Sequence, residues 1–403
     1  MRQADGSVQV AAAAILLGLT MGTACTGEAQ PVYGSYGPFA GGGFGGSSVG
    51  GSGTTGGGKG GVGGSGGVIG GGAVDCTPEV CKQPPAMGTG GPPDGAAPNV
   101  QAINKLYLGD TTRAGVMTPT AWQDYGFAIS GIIYSNAKLG AAAHCKPYGG
   151  AAAADVVVNG TNGVDNSFGR NVVPILLGLA SDFPQKLQDA IDAGGSTVLM
   201  KTDKLGLGTD YNGLTTTVYS SKGTGDGMGC TLAPPPTDWS SYTWHPFDSE
   251  KAGVAFPSSY LVKNQWVSGP GGDIRVILSL AGYELVLAIH QAQMAHTFSA
   301  DHTTATLGDI GGVLGVDQLA AAIEHILGKF SPNLCHGTAQ DFVLKQIRQA
   351  ADIRQDGVRD PSQTCDSVSI GLGYETTASQ LGDPAPPAKA KDPCASPGPV
   401  CPK

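Results

Sequence analysis

The sequence predicts a mainly β domain of the α+β class, an antiparallel β-sandwich or jelly-roll-like unit with peripheral helices, over residues 99–382. Three observations predict it. Stretches rich in β-branched and aromatic residues recur at 100–108, 125–133, 197–203, 214–220, 259–266, 274–280 and 285–298, with Gly, Asp, Asn or Pro clusters between them. Helical periodicity is confined to a few places. The regular βαβ alternation of a doubly wound sheet is missing.

Residues 1–25 read as an export signal: Arg2 near the start, an apolar run from Val10 to Leu19, then small residues up to Cys25. The run is too short to span a membrane as a helix. Cys25 is the expected lipidation site, although Gly22 stands where such sites favour a branched apolar residue; ordinary signal-peptidase cleavage is the alternative. Residues 26–98 read as a disordered Gly- and Pro-rich tether, because long glycine runs between Gly41 and Gly72 offer too little apolar surface to offset ordering entropy. About 45 such residues reach roughly 35 to 40 Å. The Gly-Gly-Gly-Lys-Gly run at 56–60 lacks the Ser or Thr of a phosphate loop and the strand before it. Residues 84–98 form a second loose lead-in, and 383–403 a disordered Pro- and Ala-rich tail.

Within the domain, an apolar strand candidate at 155–158 is followed by a polar run at 159–162 and then by Gly163, Val164, Asp165, Asn166, Ser167, Phe168 and Gly169. A helical stripe follows in Val172, Leu176, Leu179, Phe183, Leu187 and Ala190, broken at Pro184. Strand, polar turn and helix is the plain reading, since Asn and Asp bond nearby amides and Gly supplies positive φ. The functional reading is a calcium loop, in which Asn162, Asp165 and Asn166 offer hard oxygen ligands. The alternating acids of an EF-hand are absent. Further on, Val316, Leu319, Ala320, Ile323 and Leu327 mark a helix ending at Gly328. Another runs over 339–353 with Thr338 and Asp341 as a capping box.

The segment Gly163 to Gly169 resembles one shared by Gly-rich bacterial secreted lipoproteins, a family with no known activity. Residues 346–353 (QIRQAADI) and 360–373 (DPSQTCDSVSIGLG) are similar to that family as well, and the likeness spans roughly 102–382. It implies a secreted, surface-anchored protein and carries over no catalytic residue. Where that family has acidic positions in the polar run, this chain has Asn159 and Asn162.

Nine cysteines make an odd number, and an exported chain needs a reason for the one left over. With Cys25 lipidated, eight remain. Cys76 with Cys81 and Cys394 with Cys401 are neighbours that suit small loops, leaving Cys145 with Cys230 and Cys335 with Cys365 as the expected staples of the domain. None has the two-residue spacing that structural zinc favours.

Candidate chemistry is sparse. His290, His296 and His302 are evenly spaced, which puts them on one face of a strand. Six extended residues span roughly 20 Å, far beyond a shared metal. Asp352, Asp356, Asp360 and Asp366 are candidates for calcium, with Asp356 and Asp360 foremost, or for a glycosidase pair; a solvated acidic loop is the alternative. Trp239, Tyr242 and Trp244 begin an aromatic run that suits either packing or a platform for a surface glycan or protein partner. No nucleophile elbow, metalloprotease helix or dinucleotide fingerprint is present in the domain. The net charge of −9 argues against nucleic acid. The sequence thus predicts an exported, lipid-anchored protein of the outer membrane or cell surface with a binding or structural role and no cofactor beyond calcium; a secreted hydrolase of glycans or peptides is the alternative.

Overall fold

The computed structural model describes residues 73–77, 80–134, 144–151, 159–223, 235, 237–280 and 283–385. The strand candidate at 155–158 and Cys25, Cys230, Cys394 and Cys401 lie outside them. The elements run β1 (Ala73–Asp75), β2 (Asn99–Tyr107), β3 (Ile132–Tyr134), α1 (Val173–Leu179), α2 (Phe183–Asp192), β4 (Thr197–Asp203), β5 (Tyr211–Gly223), β6 (Thr243–Pro246), β7 (Val254–Val262), β8 (Gln265–Val267), β9 (Gly272–Leu280), β10 (Tyr283–Phe298), β11 (Thr304–Gly315), α3 (Val316–Phe330), α4 (Thr338–Gln349), β12 (Ser367–Ala378) and β13 (Gln380–Leu381).

The mainly β, α+β class is as expected, and its two faces belong to one sheet curled onto itself. Following the pairings from β2 through β4, β5, β7, β8, β10, β11 and β12 leads back to β2, every step antiparallel. Closing the circuit removes the unpaired edges that an open sheet exposes. β9 pairs with β10 on one side. On the other it is sealed by serines: Ser220 Oγ donates to the Arg275 carbonyl, and Ser196 Oγ accepts from the Ser279 amide at 2.8 Å. β6 and the parallel β13 extend the sheet beside β5.

Strand periodicity fixes the core. On β12, Val368, Ile370, Leu372 and Tyr374 join the main apolar core, while Ser369, Gly371 and Gly373 face the other way. The inward set on β10 is Leu285, Leu287 and Ile289, then Ala292, Met294 and Phe298. A bulge between His290 and Gln293, with Gln291 at φ 53°, shifts the parity. This corrects the expectation of three histidines on one face. His290 pairs with Asp273 and Gln318, His296 enters the core with Trp266 and Phe298, and His302 sits in the turn beyond the strand.

The helices pack on this framework, α2 against β2 and β9, and α3 against β10, β11 and α4. Pro184 lies in the first turn of α2, as a proline can, and the break falls before it. α3 does not stop at Gly328 but runs on to Phe330, whose ring meets Phe183 at 6.1 Å, so a tertiary contact overrides the weak local signal. The expected capping box is not formed: Gly337 at φ 89° is the N-cap, and Thr338 is already inside α4. Residues 125–133 are a strand only at their end, in β3.

The expected cysteine staples also need correction. Cys145 bonds Cys365, with 5.2 Å between Cα atoms, and Cys335 is in a disulfide of its own, so neither expected pairing forms. The parallel bridge of Lys146 with Thr364, which draws Cys145 alongside Cys365, has no local signature in the sequence. Cys76–Cys81 is as expected. Residues 84–98 are not loose. They form a strap on the outside of the sheet, where Asn212 Nδ2 donates to the Gly88 and Gly90 carbonyls at 2.9 and 3.1 Å and the Gly95 amide donates to the Lys204 carbonyl at 2.9 Å.

Candidate functional site

Residues 163–169, 346–353 and 360–373 converge on one buried seam. Asp165, Asn166 and Ser167 are each no more than 3 % exposed. The Asn166 side chain reads both backbone groups of Gly371, donating to its carbonyl at 2.9 Å and accepting from its amide at 2.9 Å. It also donates to the Trp122 carbonyl at 3.1 Å and accepts from the Gly169 amide at 2.8 Å. The Ser167 amide donates to Ser369 Oγ at 2.9 Å, and Ser167 Oγ donates to the Ala350 carbonyl at 2.6 Å. Asp352 completes the chain, accepting from the Ser369 amide and hydroxyl, both at 2.6 Å.

Glycines make this approach possible. A Cβ on Gly371 would stand 2.1 Å from the Tyr125 carbonyl oxygen, and one on Gly126, at φ 92°, would stand 2.7 Å from Gly371 Cα. The segment 125–131 is therefore pressed flat against the outer face of β12 and bends through Gly126 instead of pairing as a strand. Its apolar residues, Tyr125, Phe127 and Ile129, serve burial.

Two carboxyl groups are sealed in the seam. Burial pushes Asp352 up to about 7 against the bonds from Ser369, and it pushes Asp165 well above the usual carboxylate range. Asp165 accepts from the Ser130 amide at 2.6 Å and from Asn159 Nδ2 at 2.7 Å. Nearby, Asp309 lies between Lys82 Nζ at 2.8 Å and Arg113 Nη2 at 3.1 Å, and also accepts from the Gly126 amide at 3.0 Å. Sequence reading passed over Asp309; its signal was a lone acid inside the glycine-rich apolar run 307–315.

The calcium residues are not assembled. Asn162 is exposed in its turn at φ 53°, whereas Asp165 and Asn166 point their oxygens at protein donors. Asp356 is exposed and bound to Arg354; Asp360 accepts from the Ser362 amide at 2.9 Å and Asp366 from the Gln355 amide at 2.7 Å. Among the described residues no three His, Cys, Asp or Glu side chains stand together as a metal site. Comparison of the chain with protein-family models, curated proteins and solved structures finds no match.

Trp239, Tyr242 and Trp244 are brought together, but as packing. Trp244 is fully buried, with Tyr242 at 5.2 Å edge-on and Trp239 at 5.3 Å, on a patch formed by Ala102 and Leu199. Burial holds Tyr242 and Trp244, with Trp239 half-buried against them, and Trp244 offers no free face.

Two further histidines are sealed from solvent. His296 stacks on Trp266 at 4.8 Å and its Nδ1 lies 2.9 Å from the Tyr374 hydroxyl. His144, beside Cys145, has neither ring nitrogen bonded. Burial pulls both down to about 3, so both are neutral near pH 7.

Proposed function

We propose that this chain is an exported, lipid-anchored protein of the cell envelope whose domain acts by binding or holding and not by catalysis. The observation that carries the reading is that every cysteine among the described residues is in a disulfide: Cys76 with Cys81, Cys145 with Cys365, and Cys335. Such bonds persist in oxidising compartments outside the cytosol. With nine cysteines in the chain, pairing leaves at least one over, and Cys25 after the signal-like run is the one suited to carry lipid. No helix among the described residues is long and apolar enough to cross a membrane.

Binding is favoured over hydrolysis by where the acids and aromatics lie. A glycosidase needs two carboxyl groups facing each other roughly 5 to 10 Å apart across a cleft. Here Asp356 is held by Arg354 on an exposed loop, while Trp239 and Trp244 pack on β2 and β4. The test is labelling with radioactive palmitate in the native host. The wild-type chain is expected to take up label and Cys25→Ser to take up none; an unlabelled wild-type chain overturns the anchor.

A further inference from the structure

We propose that the outer face of β5 and β7 is a binding groove for extended glycine- and proline-rich polypeptide, filled in this structure by the chain's own strap. The inference rests on the binding role proposed above and names its ligand chemistry. The strap sequence from Gln83 to Pro98 holds Pro84, Pro85, Pro92 and Pro93 among glycines. Such chains favour extended conformations whose carbonyls have no internal partners and are free to accept. The groove supplies donors at matching intervals. The Tyr260 hydroxyl donates to the Pro85 carbonyl at 2.5 Å, Asn212 Nδ2 donates to the Gly88 and Gly90 carbonyls, and the Asn212 amide donates to the Gly91 carbonyl at 2.9 Å. The Tyr211 hydroxyl then reaches Asp94 at 2.5 Å.

This is the pattern by which aromatic-lined grooves hold proline-rich chains, with main-chain bonds for affinity and close fit for choice. The fit selects glycine. A Cβ at Gly90 would lie 2.7 Å from the Tyr211 amide nitrogen, and one at Gly95 would lie 2.5 Å from the Leu205 carbonyl carbon. Both obstacles are backbone and cannot swing aside. The floor is cut away to match: a Cβ on Gly206 would meet the Asp94 carboxylate at 2.0 Å, and one on Gly208 would meet the Tyr211 hydroxyl at 2.7 Å. Beneath the strap, Tyr260 is buried and Val262 lies 3.3 Å from the Cβ position of Gly88, so the chain covers apolar surface as well. Another extended Gly- and Pro-rich chain offers the same carbonyls to Asn212 and Tyr260.

The experiment uses the full chain carrying Gly90→Val, which expels the strap, and a fluorescent peptide of residues 83–98. The peptide is expected to bind this variant saturably, and at least about tenfold more weakly once Asn212→Ala is added, because two carbonyl contacts are then lost. A folded Gly90→Val chain that does not bind the peptide overturns the proposal. If the variant does not fold, hydrogen exchange of the wild-type Asn212 and Gly95 amides decides. Exchange through local opening, insensitive to low denaturant, supports a displaceable strap; exchange only by global unfolding overturns it. Palmitate labelling at Cys25 is unaffected by either result, so the two readings fail separately.

Discussion

Replacing Asp352 by Asn removes the pH dependence that this buried carboxyl gives the seam. Asp352 is 2 % exposed, accepts twice from Ser369, and is pushed by burial from 3.8 up to about 7. The folded chain therefore keeps a proton that the unfolded chain releases above pH 4. The stability linked to that proton is fully present below 3.8 and is lost as pH rises through about 7. Each pH unit within this window is worth about 1.4 kcal/mol, so the advantage of wild type over Asp352→Asn falls by up to about 4 kcal/mol between pH 4 and 7. The Asn amide still accepts from the Ser369 amide and can donate to Ser369 Oγ, so the variant keeps the seam closed. The assay is urea unfolding of both proteins at half-unit steps from pH 4 to 7.5, read as the difference in unfolding free energy. His144 and His296, neutral when buried, pull the wild-type curve the other way between about 3 and 6.5, and the subtraction cancels them. A difference that stays flat across the window refutes the reasoning.

Other perturbations test the same architecture. Asn166→Ala leaves both backbone groups of Gly371 and the Gly169 amide without partners; at about 1 to 3 kcal/mol for each orphaned buried group, a loss of several kcal/mol is expected in urea unfolding. Removing the long disulfide as Cys145→Ala with Cys365→Ala, whose sequence separation is 220, is expected to cost up to about 5 kcal/mol on the chain-entropy model, seen as a lower midpoint. Calcium followed by chelator is expected to leave the thermal midpoint unchanged, because Asp165 already accepts from Ser130 and Asn159 and Asp356 from Arg354. A rise with calcium would show that one of these loops rearranges to take the ion; at 100 times its dissociation constant an ion adds about 2.7 kcal/mol.

The strands that alternate or run apolar were legible: β2, β4, β5, β9 and β10 fall where β-branched and aromatic residues cluster. β11 was hidden because Gly308, Gly311, Gly312 and Gly315 carry no strand propensity. Gly308, Gly311 and Gly312 are glycine because Tyr374, Phe127 and Ile289 occupy the space of their missing side chains. Residues 125–131 misled in the opposite sense, since residues chosen for burial imitate a strand. The strap was unreadable for a related reason: composition alone marks Gly and Pro as loose, and only the Asn212 and Tyr260 donors across the groove reveal what orders them. Of the seam, Gly163 to Gly169 stood out in the sequence, but its partners Asp352, Ser369 and Gly371 lie some 200 positions away and meet it through the fold. The single-residue bulge at Gln291, which sends His290 outward and His296 inward, left no mark in the even spacing of the histidines.

The central claim is a chain folded and oxidised outside the cytosol, with one cysteine reserved for lipid. Thiol mapping by mass spectrometry, on protein extracted with detergent from membranes of the native host, tests it most directly. The account predicts Cys145 joined to Cys365, Cys76 to Cys81, no free thiol, and a mature chain beginning at a lipid-modified Cys25. A chain that keeps residues 1–24, with Cys25, Cys145 and Cys365 all alkylated as free thiols, would contradict it.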